Sequence, residues 1–259
     1  MCGGDYGCGT FRYTGRVFST SSYVCLMNDP ERLQVICRAM ARPDFYPHPV
    51  QEIQRIDTHI SAVFLTGDWV YKLKKPVYFD FLDFRTLEDR KKFCEREVHL
   101  NQRLSHDIYQ GVVDIREDEN RRFSLQEDGQ VVEYAVKMRQ LPDSASLKGL
   151  LQRRQIDRGH LETLAGTMAE FYRSGSRDPE IDRFGRVETI SYNVEENFQQ
   201  LQPFAGSLLD REKWDFLCQV SRTFLTHHRD VFERRVTEGY IRDGHGDLRS
   251  DHVYFHQGL

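Results

Sequence analysis

Apolar and polar positions alternate with a period of two from Val50 to Val77. This alternation predicts three strands, at Ile53 to Ile56, Ala62 to Leu65 and Trp69 to Leu73. Thr66-Gly67-Asp68 forms the tight turn between the last two. The period then lengthens. Thr86 caps a predicted helix with Glu88 and Asp89 in its first turn, and the helix runs to about Leu104. Strand character returns at Val112 to Ile115, Phe123 to Leu125 and Val131 to Met138. Beyond Leu141-Pro142 the pattern is helical, over Ser146 to Gln152, His160 to Tyr172, Val194 to Leu201 and Asp210 to Glu238. Val253 and Phe255, alternating about Tyr254, predict a short final strand. A β-rich first part with one helix, followed by a helical second part, is an α+β arrangement in two lobes.

The flanks divide differently. Residues 1–26 are rich in Gly, Ser and Thr without a clean period, and are expected to be a disordered or non-native extension with Met27 as the natural start. Residues 27–49 give an N-terminal helix, opened by Asn28-Asp29-Pro30-Glu31, and then a linker. The linker is Arg42 to Pro49, whose repeated prolines oppose both helix and central strand. Residues 50–141 form the first lobe and 142–259 the second.

Composition narrows the class. The chain has 259 residues, 29% of them charged, and a net charge of only -4, which argues against a nucleic-acid partner. No apolar run approaches the length of a membrane span, and no leader pattern is present, so a cytoplasmic protein without a membrane partner is expected. The six cysteines are scattered, with no Cys-x-x-Cys pair, as suits reduced thiols. Cys2 and Cys8 have no partner pair at metal-ligand spacing.

Three elements carry chemistry. Lys72 lies on the strand Trp69-Val70-Tyr71-Lys72-Leu73-Lys74 and shares a face with Val70 and Lys74. Lys74 and Lys75 read as the solvated face of an edge strand. On the following helix, Phe93, Glu97, Leu100 and Leu104 fall on one stripe, which turns Glu97 inward. A carboxylate there needs a cation, and Lys72 is the natural partner. The third element is the run Gly244-His245-Gly246-Asp247-Leu248-Arg249-Ser250-Asp251-His252. An aspartate held in a turn can take the proton of an attacking hydroxyl, and Arg249 can neutralise charge on a transferred phosphate or pair with a carboxylate. His245 reads as a brace for the loop. His252 is a candidate ligand for a metal or a phosphate.

In this order, the three elements resemble the aminoglycoside phosphotransferase type of the protein-kinase-like superfamily, whose catalytic loop reads His-Gly-Asp-Leu-x-x-x-Asn. A bacterial group of that type, often fused to a C-terminal P-loop ATP-binding domain, is similar also at Thr58-His59-Ile60-Ser61, Val63 to Asp68, Tyr71 to Val77, Phe81 to Phe84, Tyr134 to Met138 and Glu195 to Phe198. The resemblance spans roughly Val50 to Phe255. It implies a two-lobed kinase-like fold, with an antiparallel sheet and one helix in the N-lobe and a mostly helical, incomplete C-lobe. It also implies an ATP- and Mg²⁺-dependent kinase acting on a small-molecule hydroxyl, and a fused or partner P-loop ATPase domain. Asp247 would be the catalytic base and Lys72 the phosphate anchor, with Glu97 its partner. The Thr58 to Ser61 turn would cover the phosphates, Val70 the base, and Met138 to Leu141 would be the adenine hinge. His252 stands where the family has a metal-binding Asn, and Mg²⁺ prefers oxygen ligands. The family's further metal aspartate would lie beyond Leu259, so a C-terminal truncation is expected. A nucleotide-binding module without transferase activity, an inactive fragment, and a metal hydrolase built on His245, Asp247 and His252 stay open as alternatives.

Overall fold

A computed structural model describes residues 29–79, 82–126 and 128–256. The expectations for residues 1–26 and for Met27 lie outside the described residues. The chain is α+β and divides into two compact units that meet between Gln140 and Leu141. Among the described residues no helix is long and apolar enough to cross a membrane.

Among the described residues, the first element of the first unit is α1 (Asp29–Met40). Its strands are β1 (Gln54–Asp57), β2 (Ser61–Leu65), β3 (Trp69–Lys74), β4 (Tyr78–Phe79), β5 (Leu82–Asp83), β6 (Tyr109–Glu117), β7 (Phe123–Ser124) and β8 (Gln130–Arg139), with α2 (Leu87–Gln102) between β5 and β6. Six strands form one antiparallel sheet in the order β1-β2-β3-β8-β6-β7, while β4 and β5 make a separate ribbon. β3 is therefore an interior strand, flanked by β2 and β8. The β2–β3 turn uses Gly67 at φ +99, a conformation that favours glycine.

Strand parity assigns the two faces of the sheet. Ala62, Phe64, Tyr71, Leu73 and Ala135 pack with Leu33, Ile36, Cys37 and Met40 of α1. On the other face Val136, flanked by Tyr109, Val112, Tyr134 and Met138, packs with Cys94 and Val98 of α2. The Arg42 to Pro49 stretch, expected as a linker, is instead part of the core: Phe45 and Tyr46 are buried in the α1 cluster, and the Tyr46 hydroxyl donates to the Met40 carbonyl at 2.6 Å. A short 3₁₀ helix runs over Pro43–Phe45, opened by its proline, and the aromatic pair between the prolines is what decides burial.

The inward side of α2 also differs from expectation. Arg90, Cys94 and Val98 are buried, whereas Leu100 is exposed. Glu97 lies beside Val98 and keeps its inward aspect. Arg90 Nε reaches Glu133 of β8 at 2.9 Å, while its Nη1 donates to the carbonyls of Phe84 and Arg85, both at 2.9 Å. These bonds let a guanidinium stay in the interior.

The second unit is helical: α3 (Leu147–Gln152), α4 (Arg158–Ser174), α5 (Pro179–Asp182), α6 (Val187–Leu201), α7 (Arg211–His227) and α8 (Arg229–Thr237). The single helix expected from Asp210 to Glu238 is two. Asp210 does cap α7 by accepting from the Lys213 amide at 2.9 Å, but His228, at φ -110 and ψ 25, ends it before α8 begins. Phe198 of α6 and Trp214 and Cys218 of α7 form a small core. The strand expected at Val253 to Phe255 reduces to a single antiparallel bridge between Tyr254 and Ser146.

The Arg90–Glu133 pair yields a stability test. Removing one partner of a buried pair leaves an uncompensated charge, so Arg90→Met should cost about 3–5 kcal/mol in urea unfolding of the chain. A loss below about 1 kcal/mol, the range of exposed pairs, would show that water reaches Glu133.

Candidate functional site

The candidate residues fall into two groups, one in each unit. In the first unit, the antiparallel register sets Val63 opposite Lys72, Ser61 opposite Lys74 and Val70 opposite Met138. Parity puts Lys72 and Lys74 on the face covered by α2. There Lys72 Nζ lies 2.8 Å from Glu97 Oε1, and Lys74 Nζ lies 2.6 Å from Glu97 Oε2. Each oxygen of one carboxylate thus has its own ammonium group.

The two lysines differ in environment. The Lys72 side chain keeps 30% exposure and that of Lys74 only 7%. Lys74 also lies 4.9 Å from the centre of the Phe84 ring, and Phe84 is held edge-on by Phe93. Its ammonium is therefore enclosed by a carboxylate and an aromatic face. The expectation that Lys74 is solvated is corrected. It assumed an edge strand, and β3 is interior. Lys75 is the more exposed of that pair and binds Asp57 at 2.9 Å. The sequence signal for Lys74 was present in its parity with Lys72.

Burial pushes the Glu97 carboxyl upward, but the two lysines outweigh it by charge and hydrogen bonding, leaving Glu97 below the usual carboxylate range. Burial pushes the Cys94 thiol and the Tyr109 phenol up to about 12, so these neighbours stay neutral near pH 7.

The Thr58 to Ser61 turn is closed from within. The Thr58 hydroxyl accepts from the Ser61 amide at 2.9 Å and donates to the Ser61 carbonyl at 3.2 Å. Thr58 thus shapes the turn rather than presenting its hydroxyl outward. Ser61 Oγ is buried and has no hydrogen-bond partner among the described residues. Past Met138 the chain is tied to the β2–β3 turn: the Gln140 amide donates to Asp68 at 2.9 Å, and the Gln140 side chain accepts from Gly67 at 3.0 Å. Leu141 follows as the first residue of the second unit, half-buried.

In the second unit the loop from Gly244 to His252 is set by backbone bonds. The free amides at the start of α3 are satisfied by it: Leu147 donates to Val253 at 2.8 Å and Lys148 to Ser250 at 3.0 Å. Gly246 has φ +77. The turn there lets the Asp247 amide donate to His245 Nδ1 at 3.2 Å, which makes His245 a brace of the loop. The Asp247 carboxylate is 68% exposed, with Arg249 Nε at 3.5 Å.

His252 has both ring nitrogens engaged. Arg249 Nη2 lies 2.9 Å from Nε2, and the Asp247 carbonyl lies 2.8 Å from Nδ1. Because a guanidinium only donates, Nε2 accepts and Nδ1 carries the proton. His252 is therefore a second brace, and its lone pair is not presented to a metal ion. Among the described residues no group of three or more His, Cys, Asp or Glu side chains could hold a metal. The donor set at His252 does not fit Mg²⁺, which wants oxygens. Glu195 is paired with Arg222 at 2.6 and 2.7 Å on the exposed surface of α6 and α7.

No family model and no solved structure matches the chain. Uncharacterized proteins of Mycobacterium bovis and of two strains of Mycobacterium tuberculosis are each 31% identical to it over 214 residues. That stretch is 82% of this chain and 41% of each relative, so the chain spans about two fifths of the length of the curated relatives it matches.

The sign of the Glu97 shift sets a pH dependence. A carboxyl held below its unfolded value adds stability that is full above the unfolded value, about 4.3. That stability is lost as pH falls through the lower folded value. Urea midpoints of the wild-type chain should therefore drop as pH falls from about 5 to 3. Glu97→Gln should lower the midpoint at pH 7 and flatten this acid limb. An equally steep limb in the variant would assign it to other carboxylates.

Proposed function

We propose that this chain is an ATP-dependent phosphotransferase domain of the kinase-like, two-lobed kind, acting on the hydroxyl of a small molecule. The observation that carries the reading is the contact of Lys72 Nζ with Glu97 Oε1 at 2.8 Å, between an interior strand and the helix that follows it. A lysine so oriented is the phosphate anchor that phosphoryl transfer requires. It is supported by a solvent-open aspartate in a braced glycine turn, Asp247, within the second unit.

On this reading the acceptor hydroxyl attacks the γ-phosphorus, its proton passes to the Asp247 carboxylate, and the bond to the β-phosphate oxygen breaks to release ADP. Lys72 holds the nucleotide phosphates, while Val70 and Met138, register partners on one face, meet the base. Arg249 faces the charge of the transferred group once it leaves His252. The donor is taken as MgATP, with the metal brought by the nucleotide. The residues around His252 supply no magnesium site, and no step is assigned to one.

The test is nucleotide binding and transfer by the intact chain. MgATP should bind in calorimetry and support phosphorylation of a member of a panel of hydroxyl-bearing metabolites. Lys72→Met should abolish binding at millimolar nucleotide. Asp247→Ala should bind as the wild type does but transfer roughly 10²–10⁴-fold more slowly. Binding without transfer to any acceptor would favour a nucleotide-binding module, and absence of binding would overturn both readings.

A further inference from the structure

Among the described residues, the Glu97 site holds two ammonium groups against one carboxylate, a surplus of one positive charge. The nearby Cys94 thiol and Tyr109 phenol are neutral and do not cancel it. Arg90 and Glu133, also buried in this unit, set one guanidinium against one carboxylate. A surplus charge that is partly shielded from water is costly unless an anion meets it. The environments of the two lysines say which of them is available. Lys74 is enclosed by Glu97 and the Phe84 ring and is nearly inaccessible, whereas Lys72 retains an open side.

We propose that Lys74 is a positioning residue: it is the resident counter-ion of Glu97, and it leaves Lys72 as the cation offered to an anion. With a single lysine, the carboxylate and the incoming anion would compete for the same ammonium. With two, Lys72 can turn to the anion while Glu97 stays neutralised and α2 stays anchored to β3. Ser61 Oγ, buried and without a hydrogen-bond partner among the described residues, sits at the register position opposite Lys74 and adds a polar group on the same face. The anion class is the phosphate chain of a nucleotide, which rests on the proposed function. The division of labour between the lysines does not.

Site-resolved acylation of the intact chain with sulfosuccinimidyl acetate, read by peptide mass spectrometry at pH 7.5, tests the assignment. In the wild type Lys72 should react at least about tenfold faster than Lys74, as their exposures require. In Lys74→Met, Glu97 is left to Lys72 alone, so Lys72 labelling should slow by about threefold or more, and Lys74→Arg should restore it. A merely structural loosening would make Lys72 react faster instead. Equal labelling of the two lysines in the wild type overturns the proposal, as does unchanged or faster labelling of Lys72 in a Lys74→Met chain that keeps the wild-type circular dichroism; if that variant fails to fold, the wild-type arm decides. Protection of Lys72 by MgATP is a separate arm. Its absence would remove the nucleotide reading while leaving the lysine assignment to the apo labelling.

Discussion

A carboxylate in the interior of the first unit is the constraint around which that unit is arranged. Glu97 would be strongly destabilising alone, and its acceptability depends on two ammonium groups arriving at separate oxygens. Both come from alternate positions of one strand, so the register of β3 must be held against slippage. A shift by one residue would place Tyr71 and Leu73 against α2 and strand the carboxylate. The α1 cluster on the opposite face prevents this, because the same shift would bring lysines into contact with Ile36 and Met40. The apolar face thus fixes the charged one.

The second unit solves a different problem by different means. Its loop carries an aspartate that is exposed, so burial does not hold it. The fixing is done by the backbone, through the first amides of α3, and by two histidine rings that bond to the main chain of Asp247 from either side. Gly246 supplies the conformation that brings the Asp247 amide round to His245. Arg249 holds the His252 ring from its other side at 2.9 Å, and the Asp247 carboxylate stays 68% exposed.

How much of this was legible follows from which signals are local. Lys72 and Glu97 were readable because strand parity and helix phase each constrain one of them, and an inward carboxylate calls for a cation. The helix phase was nonetheless misjudged. Hydrophobicity favoured Phe93, Leu100 and Leu104, while the face that packs is built on Arg90, Cys94 and Val98. Arg90 was invisible because a charged residue reads as solvated until its partner, Glu133, forty-three positions away, is brought beside it. Lys74 was misread for a related reason: whether β3 lies at an edge or inside the sheet depends on β8, more than fifty residues later. Phe45 and Tyr46 were obscured by neighbouring prolines, which report on backbone conformation and say nothing about burial.

The same logic explains why charge is distributed unevenly in the first unit. Arg90 and Glu133 pair with each other in the interior, and the Arg90 guanidinium also donates to backbone carbonyls. The Glu97 cluster is left open by one charge, and opening it there rather than at the surface has a physical consequence. Lys72 lies behind α2 with 30% of its side chain exposed, and an attraction there is screened less than in bulk water. Holding that surplus on Lys72, the more accessible of the two, keeps it where an anion can reach it without displacing the group that anchors the helix.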